Sequence, residues 1–329
     1  MNARRVIGMF GCVAVAAMVS GSLAGATRLR STDPVDMVQR AKGAAMREPF
    51  TGVVEMTWSD AAGEHSTRIG IASDGSGMQA GSVSVGPTGY RDSNTGVWFK
   101  ALGADASTSP SPDSKYVLSF RVGPTVAGRS TSVIDATIDG SIRERWTVDD
   151  QSQMLLARET YDTSGQLVRR MQIVNLSVNA TPPTTSTTTG FGGSAPVQAA
   201  RVRETPKPFV APNAMLLGYR AIGRYQLGNG ALQVLYSDGL RDISIFQQRG
   251  TLDAQGLPEG SARTNVGDIA VSQWTAAGAS TWAWDRNGVV FTMVSDAPPE
   301  ELRMMVEQLR PAKPSWWNRF RGWVHSWFA

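Results

Sequence analysis

The sequence predicts an α+β protein: an N-terminal unclosed antiparallel β half-barrel wrapped on one helix, and then a smaller α+β domain. Short segments in which apolar and polar residues alternate fill most of the chain, a pattern typical of antiparallel strands. Three segments have helical spacing instead, one of them in the C-terminal tail. A stretch rich in Thr, Pro and Gly divides the chain, and it contains too few large apolar residues to form a core.

Residues 1–26 are typical of an export signal. Arg4 and Arg5 are followed by an uncharged, mostly apolar run and then by the small residues Ala24-Gly25-Ala26. The alternative is an uncleaved anchor, because the uncharged run is long enough to span a bilayer. Under both interpretations the remaining chain lies on the periplasmic or cell-envelope side of the cytoplasmic membrane. That remainder has no cysteine, which suits an oxidising compartment.

Residues 33–180 form the predicted half-barrel. Asp33 and Pro34 begin a helix, whose apolar positions are Val35, Val38 and Ala41/Ala45. Alternation then predicts strands around Val54-x-Met56-x-Trp58 and Thr67-x-Ile69-x-Ile71, and at 97–101, 116–121, 133–139, 141–148, 154–161 and 166–178. One helix and about eight to ten strands favour a curved, half-closed sheet.

Residues 181–200 are the predicted linker, and residues 201–311 form the predicted smaller domain. Its expected strands lie at 232–236, 243–248, 269–274, 281–285 and 289–294, with a type I′ turn at Asn287-Gly288. The apolar residues Leu302, Met305, Val306 and Leu309 predict a helix that begins near Pro298 and ends before Pro311.

The C-terminal tail, residues 312–329, is rich in tryptophan. Four aromatic residues fall on one helical face, and two arginines lie off it: Trp316, Phe320, Trp323 and Trp327, with Arg319 and Arg321. Aromatic rings and cations separated in this way predict contact with an anionic membrane surface. The alternative is a tail that docks on its own protein.

Composition argues against most catalytic chemistry. One cysteine and two histidines leave no material for a multi-ligand metal centre, and we expect neither a metal nor another cofactor. Motifs of nucleophilic catalysis and nucleotide binding are missing from the sequence. The cationic excess lies in the two terminal segments, so nucleic-acid binding is not expected either. The sequence therefore predicts a binding protein, not an enzyme.

Several segments resemble the MucB/RseB family of sigma-E regulatory proteins, in matching order over roughly residues 33–311. Those of the first half are Val126-Ala127-Gly128-Arg129, Trp146-Thr147-Val148-Asp149, Met154-Leu155-Leu156-Ala157-Arg158, Tyr161-Asp162-x-x-Gly165 and Met171-Gln172-Ile173-Val174. Those of the second half are Val234-Leu235-Tyr236-Ser237-Asp238-Gly239-Leu240, Ile243-Ser244-Ile245 and Ala297-Pro298-Pro299-Glu300. The long linker and the aromatic tail depart from the family pattern.

The resemblance implies a first domain similar to the LolA lipoprotein carrier and a regulatory role. It implies binding of the extracytoplasmic segment of a transmembrane anti-sigma factor, which is thereby shielded from regulated proteolysis. It also implies that lipid-like ligands signalling envelope damage weaken the grip. Within the second-half signature, Tyr236, Ser237 and Asp238 are the candidate partner-binding residues.

An acyl chain or a lipoprotein could occupy the half-barrel, since such sites are mostly apolar with few polar anchors. The candidate lining residues are Met56, Trp58, Ile69, Ile71, Trp98 and Trp146. The alternative is that these residues only pack against the N-terminal helix. The leading hypothesis is thus a regulatory binding protein, and the second is a lipid or lipoprotein carrier of the LolA type.

Overall fold

The computed structural model describes residues 33–47, 49–60, 63–74, 78–82, 110–179, 199–258, 260–276, 279–295 and 297–309. The predicted export segment 1–26, nearly all of the linker, the tail 312–329 and Trp98 lie outside these ranges. Within them, no helix has both the length and the apolar character needed to cross a membrane.

The described residues of the first half, within 33–179, form one α-helix and one antiparallel sheet. The helix is α1 (Pro34–Arg47), and the strands are β1 (Pro49–Asp60), β2 (Gly63–Asp74), β3 (Met78–Ser82), β4 (Val117–Val122), β5 (Thr131–Ile138), β6 (Ser141–Asp149), β7 (Leu155–Tyr161) and β8 (Leu167–Val178). The sheet order is β3-β2-β1-β8-β7-β6-β5-β4. Because β3 and β4 lie at opposite ends, the described sheet is open, in agreement with the predicted half-barrel.

Helix α1 packs on one face of this sheet. The carboxylate of Asp33 accepts a hydrogen bond from the Val35 N–H at 2.9 Å, which caps the first turn as predicted. The buried apolar residues of the helix are Met37, Val38, Ala41 and Ala44. The buried face of the helix is therefore slightly rotated from the predicted one. Val35, which was predicted to be on that face, is only half-buried, and Met37, which was not predicted, is buried.

The second half, residues 199–309, contains a second eight-stranded antiparallel sheet. Its strands are β9 (Ala199–Arg201), β10 (Arg220–Leu227), β11 (Leu232–Ser237), β12 (Asp242–Arg249), β13 (Ala262–Val266), β14 (Ile269–Ala276), β15 (Ala279–Arg286) and β16 (Val289–Ser295), in the order β13-β14-β15-β16-β12-β11-β10-β9. Helix α2 (Pro299–Gln308) packs against its main core through Leu302, Met305 and Val306. The second sheet has as many described strands as the first, so its predicted smaller size is not confirmed.

The structure confirms two predicted β-hairpins whose turns consist of two residues. Asp139-Gly140 joins β5 to β6 with φ values of 51° and 77°, and Asn287-Gly288 joins β15 to β16 with 54° and 75°. Both central residues of a type I′ turn need positive φ, which Asn, Asp and Gly tolerate best. These turns fix the register of the paired strands on either side.

Candidate functional site at the junction of the two halves

The inner face of the first sheet, against which α1 packs, is largely apolar. Met56, Ile69 and Ile71 are buried there beside Met171 and Ala44 of α1. Three of the six candidate lining residues are therefore brought together, and they contact neighbouring side chains of the chain itself. A ligand-binding role for them remains a prediction.

The two described tryptophans among the candidates lie on the same face of the sheet but outside that cluster. Trp58 follows Met56 by two residues on β1, and Trp146 is aligned with Met56 through Met171 and Arg158 on the strands between them. Trp58 is half-buried, and its ring stacks on His65 with a centroid separation of 5.4 Å. Trp146 is buried in a separate apolar cluster, and the Arg158 guanidinium lies 5.6 Å from its ring centroid. The described candidates thus share one face of the sheet, but only Met56, Ile69 and Ile71 belong to one buried cluster.

The segment 237–241, which we call the junction turn, connects β11 to β12 and enters the first half. The Leu240 side chain is 2% exposed and packs in the cluster formed by Met37, Val38 and Trp146. Gly239 has φ of 98°, and a Cβ added to it would lie 2.7 Å from the backbone nitrogen of Pro112. A side chain of the second half therefore completes the core of the first.

Hydrogen bonds within the junction turn fix its shape. One carboxylate oxygen of Asp238 accepts the N–H groups of Leu240 and Arg241 at 3.0 and 2.8 Å. The Ser237 hydroxyl accepts the Gly239 N–H at 3.1 Å and donates to the carbonyl oxygen of Arg241. Short polar side chains commonly stabilise turns by such local bonds. The motif Ser237-Asp238-Gly239 thus encodes a tight loop that presents Leu240 and Arg241.

Arg241 is the centre of a buried polar network across the junction. Its side chain is 0% exposed, and its Nε donates to Glu144 Oε1 at 2.7 Å. One terminal nitrogen donates to Glu301 Oε1 at 2.9 Å, and the other donates to the carbonyl oxygen of Arg143 at 3.0 Å. Planar guanidinium groups suit this arrangement, because their donors point in fixed, divergent directions. Arg241 therefore bonds β6 of the first half to α2 of the second.

The remaining members satisfy the other carboxylate oxygens. Asp238 Oδ2 accepts Lys115 Nζ and the Tyr116 hydroxyl, both at 2.6 Å. Glu301 Oε2 accepts the Tyr219 hydroxyl at 2.8 Å and lies 3.4 Å from Lys115 Nζ. The second oxygen of Glu144 accepts Arg158 Nε at 2.9 Å.

We call this set the junction network. Its members are Lys115, Tyr116, Glu144, Arg158, Tyr219, Asp238, Arg241 and Glu301. It combines three cations with three carboxylates, so its charges balance. Buried charges are tolerated when they are paired and hydrogen-bonded in this way.

The network shifts the pKa values of Asp238 and Tyr116. Burial alone would raise the pKa of the Asp238 carboxyl, but Lys115 and Arg241, with the hydrogen bonds from Lys115 and Tyr116, hold it below the ordinary value. Burial and the nearby Asp238 charge raise the pKa of the Tyr116 hydroxyl well above the ordinary value. Asp238 is therefore ionised and Tyr116 neutral at pH 7.

The candidate partner-binding residues lie inside the protein. Tyr236, Ser237 and Asp238 are each 0% exposed; Tyr236 belongs to the core of the second half, and the other two shape the junction turn. Their predicted contact with a partner would require the junction to open. Sequence patterns do not single out Arg241, Glu144, Lys115 or Glu301, because nothing in the neighbouring residues distinguishes them from surface charges.

Among the described residues, no group of His, Cys, Asp and Glu side chains is arranged to hold a metal ion.

Comparison with protein-family models finds no match, and comparison with curated proteins finds none either. Solved structures do match most of the chain. A crystal structure of MucB is 19% identical, covering 85% of this chain and 98% of that chain, with a TM-score of 0.46. The complex of MucA and MucB from Pseudomonas aeruginosa is 17% identical (85% and 99% covered, TM-score 0.42), and MucB in complex with MucA(peri) is 19% identical (83% and 97%, 0.39). MucB gives its name to the family that the sequence motifs resemble.

Proposed function

We propose that this chain is a cell-envelope regulatory protein that binds the extracytoplasmic segment of a transmembrane anti-sigma factor and restrains its regulated proteolysis. The motifs across residues 33–311 support this partner class. The observation that carries the proposal is the seating of the junction turn, since the signature motif of the second half supplies Leu240 to the core of the first.

The junction favours a regulator over a freely diffusing carrier. A carrier needs only the half-barrel, whereas here the second half is bonded to the first through the neutral, buried junction network. Two halves held in one orientation offer a preorganised surface, and preorganisation lowers the entropic cost of gripping a partner. The export segment predicted at 1–26 would place this surface where it meets such a partner.

The test is binding by the full chain to the extracytoplasmic segment of an anti-sigma factor from the same genome. Calorimetric titration should give saturable binding with a Kd of about 1 μM or tighter, equivalent to roughly −8 kcal/mol. Bound segment should also be cleaved more slowly by the protease that initiates its degradation. An absence of binding heat together with unchanged cleavage would overturn the proposal.

We also propose that the inner apolar cluster takes a lipid-like ligand whose binding loosens the grip on the partner. The methionines Met56, Met154 and Met171 support this, because flexible thioether side chains adapt to ligands of irregular shape. The same cluster is what favours the second candidate function, a lipid or lipoprotein carrier of the LolA type.

Delipidated protein titrated with a fluorescent fatty acid tests the lipid proposal. Trp58→Glu should abolish saturable binding without unfolding, because Trp58 is only half-buried, whereas Val174→Glu on an exposed position should leave it unchanged. Wild-type protein that shows no saturable binding would remove the lipid role. Recovery of only lipoproteins after cross-linking in membranes would favour the carrier over the regulator.

We further propose that the tail, residues 312–329, holds the protein at anionic bilayers. Flotation with anionic liposomes should carry the intact chain upward and leave a variant lacking 313–329 behind. Equal flotation of the two would contradict the membrane role of the tail.

A further inference from the structure

Among the described strands, β4 is the last of the first sheet, and one of its edges has no described partner. The Gly123 N–H donates to the Thr131 carbonyl oxygen at 2.7 Å, so alternation directs the odd-numbered β4 residues toward β5. The N–H and C=O groups of Leu118, Phe120 and Val122 consequently point away from the sheet. Among the described residues, no strand pairs with them. This edge is a ready template for another strand.

The same strand exposes large apolar side chains. Val117, Phe120 and Val122 are 73%, 44% and 87% exposed. Strand β13, an edge of the second sheet, instead exposes small, polar or charged residues such as Arg263 and Asn265. Proteins usually protect free edges with charged side chains, and an apolar free edge invites strand pairing. The edge of β4 therefore has the character of a docking surface.

A ladder of alternating charges crosses the opposite, outer face of the sheet and ends at β4. Arg121 lies 3.5 Å from Asp135, which pairs with Arg145 at 2.6 Å. Arg145 lies 3.6 Å from Glu159, which in turn lies 3.5 Å from Arg170. Each step joins neighbouring strands, and the sign alternates. The next strand beyond β4 would continue the ladder with an acidic side chain opposite Arg121.

We propose that the β4 edge binds an extended segment of a partner protein as an added strand, with apolar residues beside Phe120 and Val122 and an acidic residue beside Arg121. The inference deepens the proposed function, on which it rests for the existence of a partner chain. Main-chain hydrogen bonds would supply affinity and the alternating side chains would supply specificity.

A second copy of this chain fits the edge less well. Antiparallel pairing of β4 with itself about Phe120 would place the two Arg121 side chains diagonally, roughly 7–8 Å apart, where like charges repel.

The experiment uses the full chain and two probes: the extracytoplasmic segment of the anti-sigma factor, and a short synthetic peptide that alternates valine with glutamate. Phe120→Pro removes the outward N–H together with the phenyl ring and should weaken binding of both probes at least about tenfold. Phe120→Ala, which loses the ring but keeps that N–H, is the matched control and should bind more tightly than Phe120→Pro. Amide hydrogen exchange at Phe120 and Val122 should slow when either probe binds.

A charge swap tests the ladder. Arg121→Glu should weaken binding of the valine–glutamate peptide by about two- to fivefold and strengthen a valine–lysine peptide by a similar factor. If the anti-sigma segment binds wild type and Phe120→Pro equally, without protecting the β4 amides, the docking site is refuted while the proposed function stands. If that segment binds neither protein, the proposed function fails, and the docking site is judged with the valine–glutamate peptide alone. Slower amide exchange at Phe120 and Val122 in the presence of this peptide would support the docking site, and unchanged exchange would overturn it. A dimer that Phe120→Pro converts to monomer would refute it in favour of a second copy.

Discussion

Arg241→Met should greatly weaken the bond between the two halves. Arg241 is fully buried and donates three hydrogen bonds, to Glu144, to Glu301 and to a backbone carbonyl. Methionine has a similar length but no charge, so the change leaves two cations facing three carboxylates without opening a large cavity. Removing one partner of a buried ion pair costs about 3–5 kcal/mol, chiefly because the other charge stays buried. We expect this loss in the free energy of unfolding.

Urea unfolding followed by tryptophan fluorescence measures the effect. With a urea m-value of about 2–3 kcal/mol/M, the midpoint should fall by roughly 1–2 M. Arg286→Met is the matched control, because Arg286 pairs with the largely exposed Asp268, and such surface pairs contribute about 0–1 kcal/mol. A midpoint for Arg241→Met that equals the control midpoint would refute the role assigned to the junction network.

A second substitution checks the cause of that loss. Adding Glu301→Gln to Arg241→Met restores the charge balance to two cations and two carboxylates, so the double variant should recover part of the lost stability. Recovery would identify the unbalanced buried charge, and not lost packing, as the source. A further decrease, additive with that of Glu301→Gln alone, would contradict this explanation.

Three other changes probe the junction turn. Leu240→Ala should lower the free energy of unfolding by about 2–5 kcal/mol by leaving a cavity in the first half, and a loss below about 1 kcal/mol in urea unfolding would contradict its role in the core. Gly239→Ala should lower the melting temperature more than Gly288→Ala, since both have positive φ but only the first would push a Cβ into backbone. Because the pKa of Asp238 is lowered, its contribution should persist from pH 7 to about pH 4 and be lost below that as the carboxyl takes up a proton. Stability measured across pH should therefore not drop by pH 6 on account of this group.

Most described strands of the first half were predictable because their alternation is strong; β3 was not predicted, and the strand predicted at 97–101 lies outside the described residues. In β1, the buried Val54 and Met56 alternate with the more exposed Glu55 and Thr57, so each strand reveals its two faces. The turn at Asn287-Gly288 was predictable because positive φ at two successive positions restricts the residue types. Both are local properties, and local properties are what a single sequence contains.

The junction was not predictable for the opposite reason. Glu144 and Arg241 are 97 residues apart, and each resembles an ordinary charged residue beside a strand or turn. Strands β10 and β13 were missed because glycine and polar residues interrupt their alternation, as in Ala262-Arg263-Thr264-Asn265-Val266. Whether such residues are buried depends on the part of the chain that packs against them, and the local sequence pattern carries no information about that part.

The position of Leu240 also governs the order in which the molecule can be completed. During synthesis on the ribosome, residues 33–179 are available before the second half. Their core is incomplete until residue 240 has emerged, because the Leu240 side chain fills part of it. Glu144 and Arg158 likewise lack hydrogen-bond partners from the second half, Arg241 and the Leu240 carbonyl oxygen, until residues 240 and 241 have been synthesised. A fragment ending at residue 179 would expose to water the apolar side chains that Leu240 covers. We therefore expect the first half produced alone to be aggregation-prone and poorly soluble.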